Sequence, residues 1–268
     1  MIHLKKEKRQ KITYILLFIT AAVMIFSGSS LVRFFFEDKI AEQYWKNIAR
    51  KKEKGVVLND DTILDEYEAL YKENTDIVGW IKIDETKIDY PVMQNKEFPE
   101  YYLRRNFNKE TDGCGTPFVD YRCDVLPEQS FNTIIYGHYS SGDRGFRWLF
   151  NYESEYWYKE HKIIQFDTIQ EKGNYEVAAV FYYDVTDVTL KESGDEITED
   201  AYEFYNYIEI DSGDGYRKFV DRIEDRKLYE TDAEIKMTDR LITLVCCAPK
   251  EFSDIEENGR LVVIARKI

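Results

Sequence analysis

Leu241-Ile242-Thr243-Leu244-Val245-Cys246-Cys247 is the stretch on which the reading of this chain turns. Apolar and β-branched residues dominate it, which is the composition of a buried strand, and it ends in two thiols. Ala248-Pro249 follows, and proline has no N–H to continue a ladder, so the strand stops there. A cysteine at a strand end is held by a rigid element yet faces open space, a suitable mounting for a nucleophile. The competing reading is a small buried hydrophobe, since free cysteine is among the most buried residue types.

Working back from that strand, residues 213–229 (GDGYRKFVDRIEDRKLY) have the spacing of an amphipathic helix, with Phe219, Ile223 and Leu228 inward. Earlier segments change period. Residues 77–83, 88–94, 115–121, 133–138, 163–168 and 175–185 read as strands, and 261–268 closes the chain as another. Residues 146–156 carry aromatic residues at helical spacing. Residues 34–54 and 62–72 carry apolar residues every three or four positions, and the second set places Ile63, Tyr67 and Leu70 on one face. Many strands with few helices between them predict a mostly β fold, an antiparallel or mixed closed barrel rather than a doubly wound sheet.

The N-terminus differs from everything after it. Lys5, Lys6, Lys8, Arg9 and Lys11 oppose only Glu7, and residues 12–32 then run without a charge. As a helix that run spans roughly 31 Å, the thickness of a hydrocarbon core. The preceding bases predict a cytoplasmic tail and an outside domain. A cleaved signal peptide is the rival, with Ser27-Gly28-Ser29-Ser30 as a possible small-residue site. The organisation expected is a basic tail over 1–11, a transmembrane signal anchor over 12–32, helices over 33–73 and a catalytic barrel over 74–268.

The 268 residues carry a net charge of −14; the basic tail contributes +4, so the remainder carries −18. Such a surface repels nucleic acid, and no basic stripe offsets it. An apolar fraction of 44%, with 21 Tyr, 16 Phe and 4 Trp, is ample for a core. Cys114 and Cys123 flank an expected strand that would hold them about 30 Å apart, too far for a disulfide. Cys246 and Cys247 face opposite ways on a strand. Four free thiols are expected. No CxxC or HxxxH spacing supports a metal site, and no glycine-rich phosphate loop implies a nucleotide, so no cofactor is expected.

Three histidines are present. His3 lies in the basic tail, and His161 reads as a solvated helix end. His138 ends a strand, follows Gly137 and opens a polar loop, with Ile134 and Tyr136 on its face. Arg260 starts the last strand. A thiolate needs a cationic neighbour at neutral pH, a leaving amine needs an acid such as imidazole, and a tetrahedral oxyanion needs a fixed positive donor. Cys247, His138 and Arg260 at one barrel mouth would supply all three for acyl transfer through a thioester.

These segments resemble the sortase family. Thr243-Leu244-Val245-Cys246-Cys247 resembles its Thr-Leu-x-Thr-Cys signature, Ile135-Tyr136-Gly137-His138 its histidine segment, and Gly259-Arg260-Leu261-Val262-Val263-Ile264-Ala265 its final strand. Asp76-Ile77-Val78-Gly79-Trp80-Ile81 and Ile88-Asp89-Tyr90-Pro91-Val92 resemble its first two strands. The helix before the cysteine strand and the two N-terminal helices are similar to those of class B members. The resemblance covers roughly residues 64–268. It implies a sortase β-barrel and a membrane-anchored cysteine transpeptidase of a Gram-positive cell surface. Such an enzyme cleaves a C-terminal sorting motif of surface proteins after threonine. It passes the acyl group to an amine of a peptidoglycan precursor or cross-bridge. By the same resemblance Cys247 is the nucleophile, His138 the acid and base, and Arg260 the oxyanion and substrate donor. Pilus polymerisation and hydrolysis by a surface cysteine protease are the alternative activities. The chain departs from the pattern at Cys246, where the signature has threonine, at Val245, where class B members often have serine, and at Ala248-Pro249, after which Glu251 or Asp254 would have to replace the family's nearby acid.

Overall fold

The computed structural model describes residues 18–20, 23–27, 37–53, 62–140, 142–184, 204–247 and 259–268. The chain divides into two compact units, Met1–Ile48 and Ala49–Ile268. Residues 18–20 and 23–27 are helical and exposed, and residues 37–53 form helix α1. Among the described residues no helix is long and apolar enough to cross a membrane. The rest of the expected anchor, residues 12–17, 21–22 and 28–32, lies outside the described set, as do Ala248-Pro249, Glu251 and Asp254.

The second unit is a closed eight-stranded barrel. Its strands are β1 (Ile77–Lys82), β2 (Asp89–Met93), β3 (Phe118–Val119), β4 (Asn132–Gly137), β5 (Ile163–Thr168), β6 (Asn174–Asp184), β7 (Leu241–Cys247) and β8 (Gly259–Lys267). They pair in the order β1-β2-β3-β4-β7-β8-β6-β5, and β5 returns to β1. Two contacts are parallel, β2 with β3 and β4 with β7, and the others are antiparallel. The mixed closed barrel expected from the strand spacing is therefore the one formed.

β7 is buried at every position but its last, and β8 over most of its length. That explains why both strands read as continuous apolar runs rather than alternating ones. Helix α2 (Asp65–Glu73) buries Tyr67 and Leu70. It is tied to the barrel by Leu64 N–H donating to the Ile169 carbonyl at 2.8 Å and by the Tyr67 hydroxyl donating to Asp167 at 2.8 Å.

Four expectations change in detail. The strand expected over 115–121 shrinks to Phe118–Val119. Gly115 sits at φ +66° in a turn, and the Asp120 carboxylate accepts the Arg122 N–H to begin another. The aromatic helical stretch over 146–156 is split into a 3-10 turn, Arg147–Glu153, and helix α3, Glu155–Glu160, because Ser154 caps the second at the Trp157 N–H. Helix α4 covers Gly213–Glu224, capped by Ser212, and buries Phe219 and Ile223. It ends before Leu228, which is exposed, because the Leu228 N–H donates to the Val180 carbonyl of β6 instead of a helical one. Finally, His161 is not simply solvated: it stacks on Trp157 at 3.6 Å, and its Nε2 lies 3.0 Å from Glu85.

One buried polar contact holds together the two strands that carry His138 and Cys247. The Thr243 hydroxyl of β7 donates to Asn132 Oδ1 of β4 at 2.7 Å, and both residues are essentially inaccessible. Thr243→Val keeps the shape but leaves the amide oxygen buried without that donor, so it should cost about 1–3 kcal/mol. Urea unfolding of the two proteins checks this; equal midpoints would mean that the contact adds nothing to stability.

Candidate active site

The site follows from register. In the parallel ladder Gly137 of β4 pairs with Cys246 of β7, so the next residues, His138 and Cys247, emerge side by side at the strand ends. On the other flank of β7, Cys247 pairs with Arg260 of β8, and Arg260 pairs with Tyr183 of β6. Imidazole, thiol, guanidinium and phenol thus form one row across four adjacent strands. All four line a single cleft of about 400 Å³.

The two thiols at the end of β7 differ because a strand alternates its faces. Cys246 points into the barrel and is fully buried, and that burial pushes its thiol well above the ordinary range. The neighbouring Cys247 and Cys114 sulfurs push the same way, against a smaller opposing pull from Arg260. Cys247 is partly accessible and faces the cleft. Cys123 is buried too, and its thiol is pushed up to about 12 by that burial. All four cysteines are free.

His138 is held by its backbone. A Cβ on Gly137 would lie 2.3 Å from the ring of the fully buried Phe146, so only glycine permits this approach. The loop after His138 folds back, and the Phe146 N–H donates to the His138 carbonyl at 3.0 Å. Gly145, at φ +64°, makes that return possible, and a Cβ there would meet the same carbonyl at 2.3 Å. Arg144 on this loop is clamped by both oxygens of Asp112, at 2.7 and 2.8 Å. The imidazole itself meets Arg104, whose Nη1 lies 3.2 Å from Nε2. Its Nδ1 is buried and has no hydrogen-bond partner among the described residues. Burial first, and the Arg104 charge second, hold the His138 pKa below its ordinary value.

Arg260 donates through Nη1 to the Gly259 carbonyl at 2.8 Å, and among the described residues it has no carboxylate partner. Arg260 lines the cleft. The opposite wall is built by Tyr136, whose hydroxyl donates to Asp120 at 3.0 Å. Burial alone would raise the Asp120 carboxyl. The Arg122 side-chain and backbone donors, its charge and the Tyr136 hydroxyl outweigh that and hold it low. Arg122 also donates to the Tyr205 carbonyl at 3.0 Å, which fixes the segment at 204–206 against the wall. There Phe204 packs edge-on to Tyr183 at 4.9 Å. The cleft is therefore mainly apolar and aromatic, with the thiol, imidazole and guanidinium at one end.

Cys247, His138 and Arg260, named from the sequence, are brought to one place. Sequence reasoning missed Arg104, the Asp120–Arg122–Tyr136 set and the aromatic wall. Tyr136 was visible only as a residue on the histidine's face, and Arg104 gave no signal at all.

A sequence profile of the sortase family, described as a sortase domain, matches residues 81–268. The chain belongs to the sortase family. It is 30% identical to sortase B of Staphylococcus aureus over 259 residues, 96% of each chain. It is 28% identical to sortase B of Listeria monocytogenes, covering 91% of this chain and 92% of that one. The solved Staphylococcus aureus sortase B–substrate complex superposes with a TM-score of 0.72 at 27% identity, over 87% of this chain and 98% of that one. This sortase is most like class B members and is a cysteine transpeptidase. The barrel expected from the resemblance is the observed fold.

In the native sortase a small alkylating reagent should modify Cys247 first. Cys246 and Cys123 should react only after unfolding, because both thiols are buried and protonated. Peptide mapping by mass spectrometry after partial alkylation reads the order. Faster modification of Cys246 would reverse the assignment of faces.

Proposed function

We propose that this sortase anchors surface proteins to the cell wall, with Cys247 as nucleophile, His138 as general acid and base, and Arg260 as oxyanion donor. The observation that carries the reading is the single row these residues make across β4, β7 and β8. Sulfur attacks the carbonyl of a threonine in a C-terminal sorting motif, and the C–N bond breaks. His138 takes the proton of the Cys247 thiol and gives it to the leaving amine, and the acyl group remains on sulfur as a thioester. An amine of a peptidoglycan precursor or cross-bridge then attacks, His138 takes a proton from it, and the thiolate leaves. Arg260 stabilises the oxygen charge in both steps, where a fixed donor acts most strongly.

The same reading places residues 1–11 in the cytoplasm and 12–32 in the membrane. The helices over 33–73 and the barrel over 74–268 lie outside, facing the wall of a Gram-positive cell. Its support is the charge-free run at 12–32 behind a basic cluster. The polarity of the remainder, −18, fits an exposed domain without nucleic-acid partners.

Cys247→Ala and His138→Ala should each abolish cleavage of a sorting-motif peptide while the fold survives. Arg260→Ala should lower kcat/KM about 10²–10³-fold, the usual effect of losing an oxyanion donor. Chromatography of the products with added amine separates the activities. An amide product supports transfer; only free acid, at any amine concentration, would favour a protease. Full activity in Cys247→Ala would overturn the assignment.

A further inference from the structure

We propose that Arg104 is a positioning residue that caps His138: its guanidinium donates to Nε2, fixes the ring as the neutral Nδ1-protonated tautomer, and must leave that nitrogen before the ring can exchange a proton with substrate. The proposal rests on the catalytic reading of His138 given above.

Arginine has only donors and keeps its charge at any physiological pH. A guanidinium nitrogen 3.2 Å from Nε2 therefore makes Nε2 the acceptor, and the ring hydrogen must sit on Nδ1. Nδ1 is buried without a partner among the described residues, and no carboxylate among them orients the ring from behind. This differs from the Ser-His-Asp arrangement, in which a carboxylate at Nδ1 sets the tautomer. Here the donor stands on the other side, at Nε2. A protonated ring would turn an N–H toward the guanidinium, donor against donor and charge against charge. With Arg104 in place the ring is thus held as a base whose lone pair is covered.

The cap is also built to move. The same Nη1 donates to the Gly113 carbonyl, so the guanidinium is anchored on backbone rather than on a carboxylate. Arg104 ends a short 3-10 turn, Tyr101–Arg104, and its side chain is exposed. A peptide in the cleft brings carbonyl oxygens that compete for the same donors. Leaving Nε2 for such an oxygen would free the ring only when substrate is present.

Among the described residues, the titratable or charged groups lining the cleft with His138 are Glu100, just before the turn that ends in Arg104, then Asp120, Tyr121 and Tyr136, Tyr183 and Tyr205, Cys247 and Arg260. Asp120 is committed to Arg122, and Arg144 on the histidine's own loop to Asp112. Among the described residues Arg104 alone makes a hydrogen bond to the ring. The lowered His138 pKa agrees with this arrangement.

The test uses the full-length chain in detergent with ¹⁵N-labelled histidine, whose three imidazoles give separate signals, assigned with His138→Ala. In the wild type the His138 signals should report an unprotonated Nε2 and a protonated Nδ1. In Arg104→Ala the His138 pKa should rise, as removal of an adjacent like charge requires, and the tautomers should mix. The limb of the pH–kcat/KM profile that follows the imidazole should move by the same amount. Arg104→Lys, which keeps the charge, should recover part of the shift. A merely structural role at Gly113 would change activity without moving the His138 titration. An unchanged tautomer and pKa in Arg104→Ala would overturn the proposal. A His138→Ala protein that still cleaved peptide would overturn the reading beneath it, whatever the titration shows.

Discussion

The parallel ladder between β4 and β7 is the contact on which the cleft depends. Parallel strands cannot be joined by a hairpin, so the chain makes a long excursion between these two and returns with their ends level. That levelling is what brings a histidine and a cysteine from distant parts of the sequence to one rim. A slip of one residue would turn Cys247 inward and Cys246 outward, because side chains alternate with period two. The buried Thr243–Asn132 bond and the apolar faces of both strands resist the slip.

Environment then separates chemically identical groups. Cys246 and Cys247 differ by one position, yet one thiol is sealed in the barrel and the other opens on the cleft. In this chain the residue before the accessible thiol is itself a thiol, where the family signature carries threonine. Its fully buried position explains why the change is tolerated: cysteine packs there as a small hydrophobe. The departure alters the barrel interior and leaves the cleft face of β7 to Val245 and Cys247.

Much of this was legible in the sequence, for definable reasons. β1, β2, β4, β5, β6, β7 and β8 announce themselves as β-branched or aromatic runs between turns, and the barrel follows from their number and spacing. Strand ends carrying Cys, His and Arg pointed to a rim. Nothing local says that β4 and β7 are parallel neighbours, since pairing across most of a domain leaves no mark in a short window. β3 was overextended because two bonded residues are too few to show a period. Arg104 was invisible for a similar reason. It sits on a single 3-10 turn, and only the fold of residues 94–117 carries it over the imidazole. Leu228 misled because its spacing continues the helix although its N–H has already passed to β6.

In the proposed reaction sulfur at position 247, and no other sulfur, receives the acyl group. The most direct measurement is to incubate the full-length protein with a sorting-motif peptide, quench with acid, and locate the added mass by fragmentation. The increment of the N-terminal peptide fragment should appear on Cys247 and be lost when a competing amine is added before the quench. An increment on Cys246, or amide product formed by a protein whose Cys247 is replaced, would contradict it.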